Sequence, residues 1–260
     1  MATLPAPVDL TALAAWAEQG LPGGGPLEVT PLGDGHSNLT FLLRRTSNGA
    51  DFVLRRPPMG PLLPTAHDVV REYRVLDLLG SASPPVRVPA VVALCEDTSV
   101  LGAPFYVMER ADGIVVRDVL PDWLAGDEQA QHRLGLDLVD ALAEIHCTDW
   151  RPFVAAGIGR PDGYLGRQLR RWTGQREGVQ AAVAAAGGNA RDLPDYDVVR
   201  DWLVAELPAE VEPALVHGDY KLDNVIVQRD DGGPRVAAVV DWEMATVGDP
   251  RADLGYLVAT

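Results

Sequence analysis

The apolar positions of the chain change period along its length. Leu10, Leu13, Ala14 and Ala17 follow Asp9 at helical spacing, which predicts a short amphipathic helix over 9–19 started by an acid. The Gly/Pro-rich stretch from Leu21 to Pro26 ends it. Short apolar runs then predict strands at Leu27–Leu32, Leu39–Arg44 and Asp51–Arg55, with Asn48-Gly49 as a hairpin turn and Pro57-Pro58 as a stop. Helical spacing returns at Val69, Val70, Tyr73, Leu76 and Leu79, predicting a helix from about Ala66 to Leu79, and two further strands are predicted at Ala90–Glu96 and Pro104–Glu109. From Asp118 the pattern is helical, with helices around Asp127–His146, Gly163–Thr173 and Tyr196–Leu207. The Ala/Gly-rich segment from Gly178 to Ala190 reads as an exposed helix end with a loop, or as a mobile insertion. Short strands close the chain at Ala214–Val216, Val225–Val227 and Val236–Val240.

Mostly strands, then mostly helices, is the order of an α+β protein in two lobes, joined near Arg110–Gly113. With 47% hydrophobic and 23% charged residues over 260 positions, the chain can bury a core. No apolar run approaches the ~18–20 residues that span a bilayer. The start, Met-Ala-Thr-Leu-Pro-Ala-Pro, has neither the basic nor the apolar region of a secretory signal, so a cytoplasmic location is expected. Cys95 and Cys147 permit one disulfide but form no zinc-binding pattern. A net charge of −15 argues against nucleic acid and anionic membranes as partners. The oligomeric state stays open.

Charge is unevenly placed. Of 22 basic residues only Lys221 is lysine, and the Arg, Ala, Gly and Pro content reads as a GC-rich genome. Arg151, Arg160, Arg167, Arg170, Arg171 and Arg176 share a stretch whose one acid is Asp162. This is either a solvated helix face paired with acids elsewhere or an anion-binding patch.

The strongest chemical signal is His217-Gly218-Asp219-Tyr220-Lys221-Leu222-Asp223-Asn224, set between two apolar strands, with Asp241-Trp242-Glu243 ending the next strand. A His-x-Asp, an Asn five residues after the Asp and a later acid form phosphoryl-transfer machinery. Asp219 is placed to accept the proton of an attacking hydroxyl, and Asn224 and Asp241 to hold magnesium against nucleotide phosphates. A five-residue loop lets base and first ligand face one phosphate, and the hairpin returns Asp241 beside them. Oxygen donors suit magnesium, which needs few protein ligands. His217 reads as a brace for the loop, Asp249 and Asp253 as caps and braces of the segment after Asp241, and His146 as a packing or capping residue.

These motifs, with Gly35-His36-Ser37-Asn38, Phe52 to Pro58, Phe105 to Glu109, Gly163-Tyr164 with Arg167-Gln168, and Gly248-Asp249-Pro250, resemble the aminoglycoside phosphotransferase superfamily, which has a protein-kinase-like fold. The likeness is greatest to the branch containing the kinase-like N-terminal domains of acyl-CoA dehydrogenase fusion proteins. It implies an N-lobe over 1–110 that binds ATP and a C-lobe over 111–260 that carries the catalytic and metal-binding loops. Gly33, Gly35, His36, Ser37 and Asn38 match the loop over the ATP phosphates, Arg55 the cation on the α- and β-phosphates, and Glu72 its ion-pair partner. Glu109 to Ala111 match the hinge that hydrogen-bonds adenine. Arg55 departs from the usual Lys, and Lys221 is a cation that antibiotic-modifying members generally lack at this place.

The resemblance thus implies an ATP- and magnesium-dependent phosphotransferase acting on a small-molecule hydroxyl. Lys221 would offset charge at the transferring group. A hydroxyacyl-CoA is the favoured acceptor, with Arg167 and Arg171 as candidate substrate residues, because a polyanion needs clustered Arg and an aminoglycoside is a polycation. The alternatives are an aminoglycoside kinase and a nucleotide-binding module without turnover. Relatives continue with further helices past the point matching Thr260, so a C-lobe shortened at its end, with apolar residues exposed near Leu254, Tyr256 and Leu257, is also implied.

Overall fold

Asp9 starts the first helix by accepting the amides of Thr11 and Ala12. This helix, α1 (Leu10–Gly20), is the first element in a computed structural model that describes residues 9–32, 38–58 and 67–260. The strands β1 (Leu27–Leu32), β2 (Leu39–Arg45) and β3 (Asp51–Arg56) follow, then α2 (Val69–Gly80), β4 (Val91–Cys95), the single turn α3 (Thr98–Leu101) and β5 (Phe105–Glu109). The five strands form one antiparallel sheet in the order β1-β2-β3-β5-β4. The β2–β3 hairpin turns at Asn48-Gly49, where Gly49 has φ +73° and the Asn48 side chain accepts the amide of Ala50.

Strand alternation sorts the sheet's side chains onto two faces. Phe41, Leu43, Phe52, Leu54, Phe105 and Val107 pack with Leu13 and Ala17 of α1. Val53, Tyr106 and Met108 face the other way and join Val75, Leu76 and Leu79 of α2 in the larger core.

That larger core continues into the second half. There β6 (Ile114–Val115), α4 (Asp122–Ala125), α5 (Glu128–His146), α6 (Arg151–Ala155), α7 (Tyr164–Ala185) and α8 (Tyr196–Ala205) precede β7 (Ala214–Val216). A 3-10 turn at Leu222–Asn224 leads into the hairpin β8 (Val225–Asp230) and β9 (Gly233–Val239), then β10 (Thr246–Gly248) and α9 (Arg251–Ala259). β6, β8 and β9 make one small sheet, and β10 pairs with β7 in another. Arg87, in the segment before β4, ties the halves together. Its guanidinium donates to Asp137 and Glu144 on α5, and its carbonyl accepts the amide of Val239 at 2.7 Å.

The Gly178–Ala190 segment is an exposed helix end followed by a loop: α7 extends past Thr173 to Ala185, because its alanines favour helix strongly enough to absorb Gly174 and Gly178. β6, β10, α3, α4 and α6 are too short to show a period, and α9 has no clear apolar stripe. Cys95 and Cys147 are both free.

One buried charge closes the α1 side. Arg45 is fully buried, and its guanidinium donates to the carbonyls of Ala17 (2.6 Å), Leu21 (3.3 Å) and Gly25 and to Glu18. It therefore caps the negative end of α1. Arg45→Met should lower the unfolding free energy by roughly 2–4 kcal/mol, since several buried acceptors lose their donor. Denaturant titration measures this, and amide exchange should quicken first at Leu13 to Ala17.

Candidate active site

The strand β7 delivers a loop whose shape is held from four directions. Gly218 has φ +88°, and a Cβ there would stand 2.8 Å from the Met244 carbonyl oxygen, so only glycine fits. The buried Asp253 carboxylate accepts the amides of His217 and Gly218, each at 2.8 Å, and lies 3.0 Å from His146 Nε2. His217 Nδ1 accepts the amide of Asp219 at 3.2 Å, so Nε2 carries the proton and donates to the Val240 carbonyl at 3.0 Å. Burial pushes the His217 pKa down, which keeps this ring a neutral brace. The sequence places Asp253 as a brace for the segment after Asp241. In the structure it holds the catalytic loop instead.

This loop brings Asp219, Lys221 and Asn224 together. Asn224 Nδ2 donates to the Asp219 carbonyl at 2.8 Å and to its carboxylate at 2.7 Å, leaving Oδ1 to bind a cation. Lys221 Nζ stands 3.4 Å from the same carboxylate. Burial works against the Lys221 charge, but Asp219 and Tyr256 raise its pKa above the ordinary value.

The β8–β9 hairpin returns Asp241 opposite. It takes a left-handed conformation, φ +68° and ψ 61°, that non-glycine residues seldom adopt and that acidic side chains tolerate best. Its carboxylate pairs with Arg55 at 3.0 Å. Arg55 Nε lies 3.4 Å from Glu72, whose other oxygen accepts the Trp242 amide at 3.2 Å. Asn38 reaches Glu72 at 3.5 Å and Glu243 at 3.4 Å. Burial pushes the Glu72 carboxyl up to about 7, with Arg55 pulling the other way. Burial also opposes the Arg55 charge, but Glu72, Tyr106 and Asp241 together hold its pKa above the usual value.

A cleft of about 600 Å³ opens between these groups. Arg55, Asp219, Lys221, Asn224 and Asp241 line one part, and Val53, Met108, Glu109, Ala111 and Ile226 line the rest. The Glu109 amide donates to the Ala90 carbonyl at 2.8 Å, which fixes the end of β5 beside the cleft. Among the described residues no three His, Cys, Asp or Glu side chains form a metal cluster. Magnesium does not require one: the amide oxygen of Asn224 and the carboxylate of Asp241 fit its preference for few, hard oxygen ligands. Asn38 Oδ1 is buried near these side chains without a hydrogen-bond partner.

The sequence-predicted residues thus fall into three groups. Asn38, Arg55, Glu109, Ala111, Asp219, Lys221, Asn224 and Asp241 line the cleft, with Glu72 directly behind Arg55. Gly33, Gly35, His36 and Ser37 lie outside the described residues. Arg167 and Arg171 sit on α7, away from the cleft lining. Arg167 donates to the Arg160 carbonyl at 2.8 Å, and burial with Arg160 and Arg170 lowers its pKa. Arg171 lies over the Trp172 ring, 5.8 Å from its centre, and its charge reaches Arg71.

The sequence reading missed Arg71, Glu243 and Tyr256. Arg71 donates to the carbonyls of Glu243 (3.1 Å) and Ala245, fixing the segment after Asp241 to α2. Its neighbour Glu72 was a signal, as was the helical step from Asp253 to Tyr256.

A family model described as "Phosphotransferase enzyme family" matches residues 28–260. Acyl-CoA dehydrogenase family member 11 of Gallus gallus is 40% identical over 234 residues, 89% of this chain and 28% of that protein. The chain spans only about a fifth to a third of the curated relatives it matches first (20%, 28% and 31%). A crystal structure from Ralstonia eutropha, assigned as an aminoglycoside phosphotransferase, superposes with TM-score 0.75 at 33% identity, covering 96% of this chain and 69% of that one. The GDP complex of aminoglycoside 2'-phosphotransferase-IIIa superposes with TM-score 0.68 at 21% identity, covering 96% and 78%, and shows the likeness of fold.

Glu72 generates a pH dependence. Its carboxyl pKa rises on folding from 4.5 to about 7, so across that window the folded chain keeps a proton that the unfolded chain has released. Stability from this group therefore falls as pH rises through the window. Thermal melts of wild type and Glu72→Gln should show the wild type losing ground between pH 4.5 and 7 and a constant difference above. A flat difference would mean that Arg55 keeps Glu72 ionised throughout.

Proposed function

The chain belongs to the phosphotransferase enzyme family, and from that premise we propose that it transfers the γ-phosphoryl group of ATP to the hydroxyl of a small molecule. The observation that carries this reading is the meeting of Asp219, Asn224, Asp241 and Arg55 at one end of a single cleft. Residues 1–110 form the nucleotide-binding lobe and residues 111–260 the catalytic one.

Each side chain has a distinct task. Asp219 accepts the proton of the acceptor hydroxyl, and its orientation is set by Asn224 and by the His217 brace. Asn224 Oδ1 and the Asp241 carboxylate would hold magnesium. Held there, magnesium would supply positive charge against the nucleotide phosphates. Arg55 offers its fork to the phosphates while Glu72 keeps it in place. Lys221 supplies positive charge beside the transfer point.

Asp219→Ala should abolish transfer and leave MgADP binding near the wild-type level, whereas Asp241→Ala should weaken MgADP binding as well. Calorimetric titration beside a coupled ATP assay separates the two. A positioned base contributes roughly 10²–10⁴-fold, so a variant keeping more than about a tenth of the rate would remove Asp219 from that role.

For the acceptor we favour a hydroxyacyl-CoA. Relatives over most of this chain are named acyl-CoA dehydrogenase family members. Burial first, then the like charges of Arg160 and Arg170, lower the Arg167 pKa against Asp162 and Glu210, and an anionic acceptor would offset that like charge. The structural neighbours favour a second acceptor, an aminoglycoside, which as a polycation would meet Lys221 at the transfer point. Assays with ATP and either 4-hydroxybutyryl-CoA or kanamycin decide between them. The thioester should be phosphorylated, and Arg167→Ala with Arg171→Ala should raise its KM several-fold. Phosphorylation of kanamycin alone would reverse the choice.

A further inference from the structure

Tyr256 lies on α9 three residues beyond Asp253, on the same face of the helix. Asp253 is bonded to the amides of His217 and Gly218 at 2.8 Å each, so the catalytic loop sets the register of α9. One step further along, α9 brings Tyr256 to the other end of that loop. The Lys221 ammonium lies over the Tyr256 ring, 5.8 Å from its centre. The phenol hydroxyl stands beside both the Asp219 carboxylate and Lys221, and Asp219 first of all keeps that hydroxyl protonated by raising its pKa.

The nucleotide cleft is lined by Asp219 and Lys221 but not by Tyr256. Tyr256 adjoins the cleft through these two side chains. In-line transfer requires the acceptor to approach the phosphoryl group from the side opposite the leaving nucleotide. Tyr256 lies beside Lys221 and Asp219 and outside the cleft lining, which makes it a candidate wall for that approach.

We propose that Tyr256 is a positioning and specificity-determining residue of the acceptor site, its ring forming the wall along which an alcohol reaches Asp219 and its contacts holding Asp219 and Lys221 toward that alcohol. This rests on the phosphotransferase reading above. An aromatic face of this kind suits an acceptor with a flat or aliphatic segment next to its hydroxyl. The phenol hydroxyl, beside Asp219 and Lys221, keeps both turned toward the acceptor hydroxyl.

The test uses the chain's single lysine. Acetic anhydride labelling read by peptide mapping reports the exposure of Lys221 separately from the N-terminus. Tyr256→Ala should bind MgADP as the wild type does and label at Lys221 about three- to fivefold faster, the loss of one cation–π contact. Tyr256→Phe keeps the ring and should label at the wild-type rate. In turnover with ATP and 4-hydroxybutyryl-CoA, Tyr256→Phe should raise the acceptor KM about fivefold or more and leave the ATP KM within about twofold. Unchanged labelling in Tyr256→Ala, or equal rises in both KM values in Tyr256→Phe, would overturn the proposal. If the wild type does not phosphorylate the thioester, the acceptor assignment fails, and the labelling arm still decides the place of Tyr256. Tyr256→Phe preserves the packing and carries the test where the alanine variant does not fold.

Discussion

A buried guanidinium must be matched by negative charge, and in this chain that requirement joins three distant segments. Arg55 on β3 is met by Glu72 on α2 and by Asp241 after β9. Arg55 is the buried cation of the three, and leaving it without either carboxylate would cost several kcal/mol. The side of the sheet that carries Arg55, the helix that carries Glu72 and the segment that carries Asp241 are thereby held in one register. An arginine suits this position better than a lysine would. Its fork reaches two carboxylates at once and keeps an edge for phosphate, whereas a single ammonium would have to choose.

The catalytic loop follows a different logic, in which backbone amides are satisfied by side chains from other elements. Asp253 takes two successive amides and contacts His146, and His217 joins the loop to the carbonyl of Val240. No chain segment outside regular structure can be this well buried unless its polar groups are matched. The result is a loop whose base faces the cleft with little freedom to turn away. It also explains why the neutral state of His217 matters: a charged ring would lose the acceptor nitrogen that fixes the Asp219 amide.

How far the sequence discloses such a site depends on separation along the chain. Asp219, Asn224 and Asp241 were readable because a loop and a hairpin bring close neighbours together, and the spacing itself implies the chemistry. Val53 and Phe52 show their opposite faces by strand alternation alone. Arg71 could not be read, since its acceptors are main-chain carbonyls more than 170 positions away that carry no residue signature. The grip of Asp253 on the loop crosses 35 and 36 positions and was assigned to the wrong neighbour. α7 exceeded its expected end because alanine propensity, not amphipathic burial, extends it, and only Tyr164 of that helix is buried.

The arginines of α7 divide when their partners are traced. Arg176 lies 4.1 Å from the Tyr196 ring centre and 3.5 Å from Asp197, and Arg151, before the helix, pairs with Asp149 at 3.0 Å. Those two belong to an ordinary paired surface. Arg167 instead gives one nitrogen to a carbonyl and is pressed by Arg160 and Arg170, with Asp162 and Glu210 only partly opposing them. Burial is the larger reason for the lowered Arg167 pKa, with the two like charges second. The imbalance is local to the first turns of α7, where Tyr164 packs against Gly248, just ahead of the Asp249–Asp253 stretch that carries the brace of the catalytic loop. An anion held there would be coupled through that packing to the loop bearing Asp219. Recognition of a charged acceptor and orientation of the base would then be two effects of one contact.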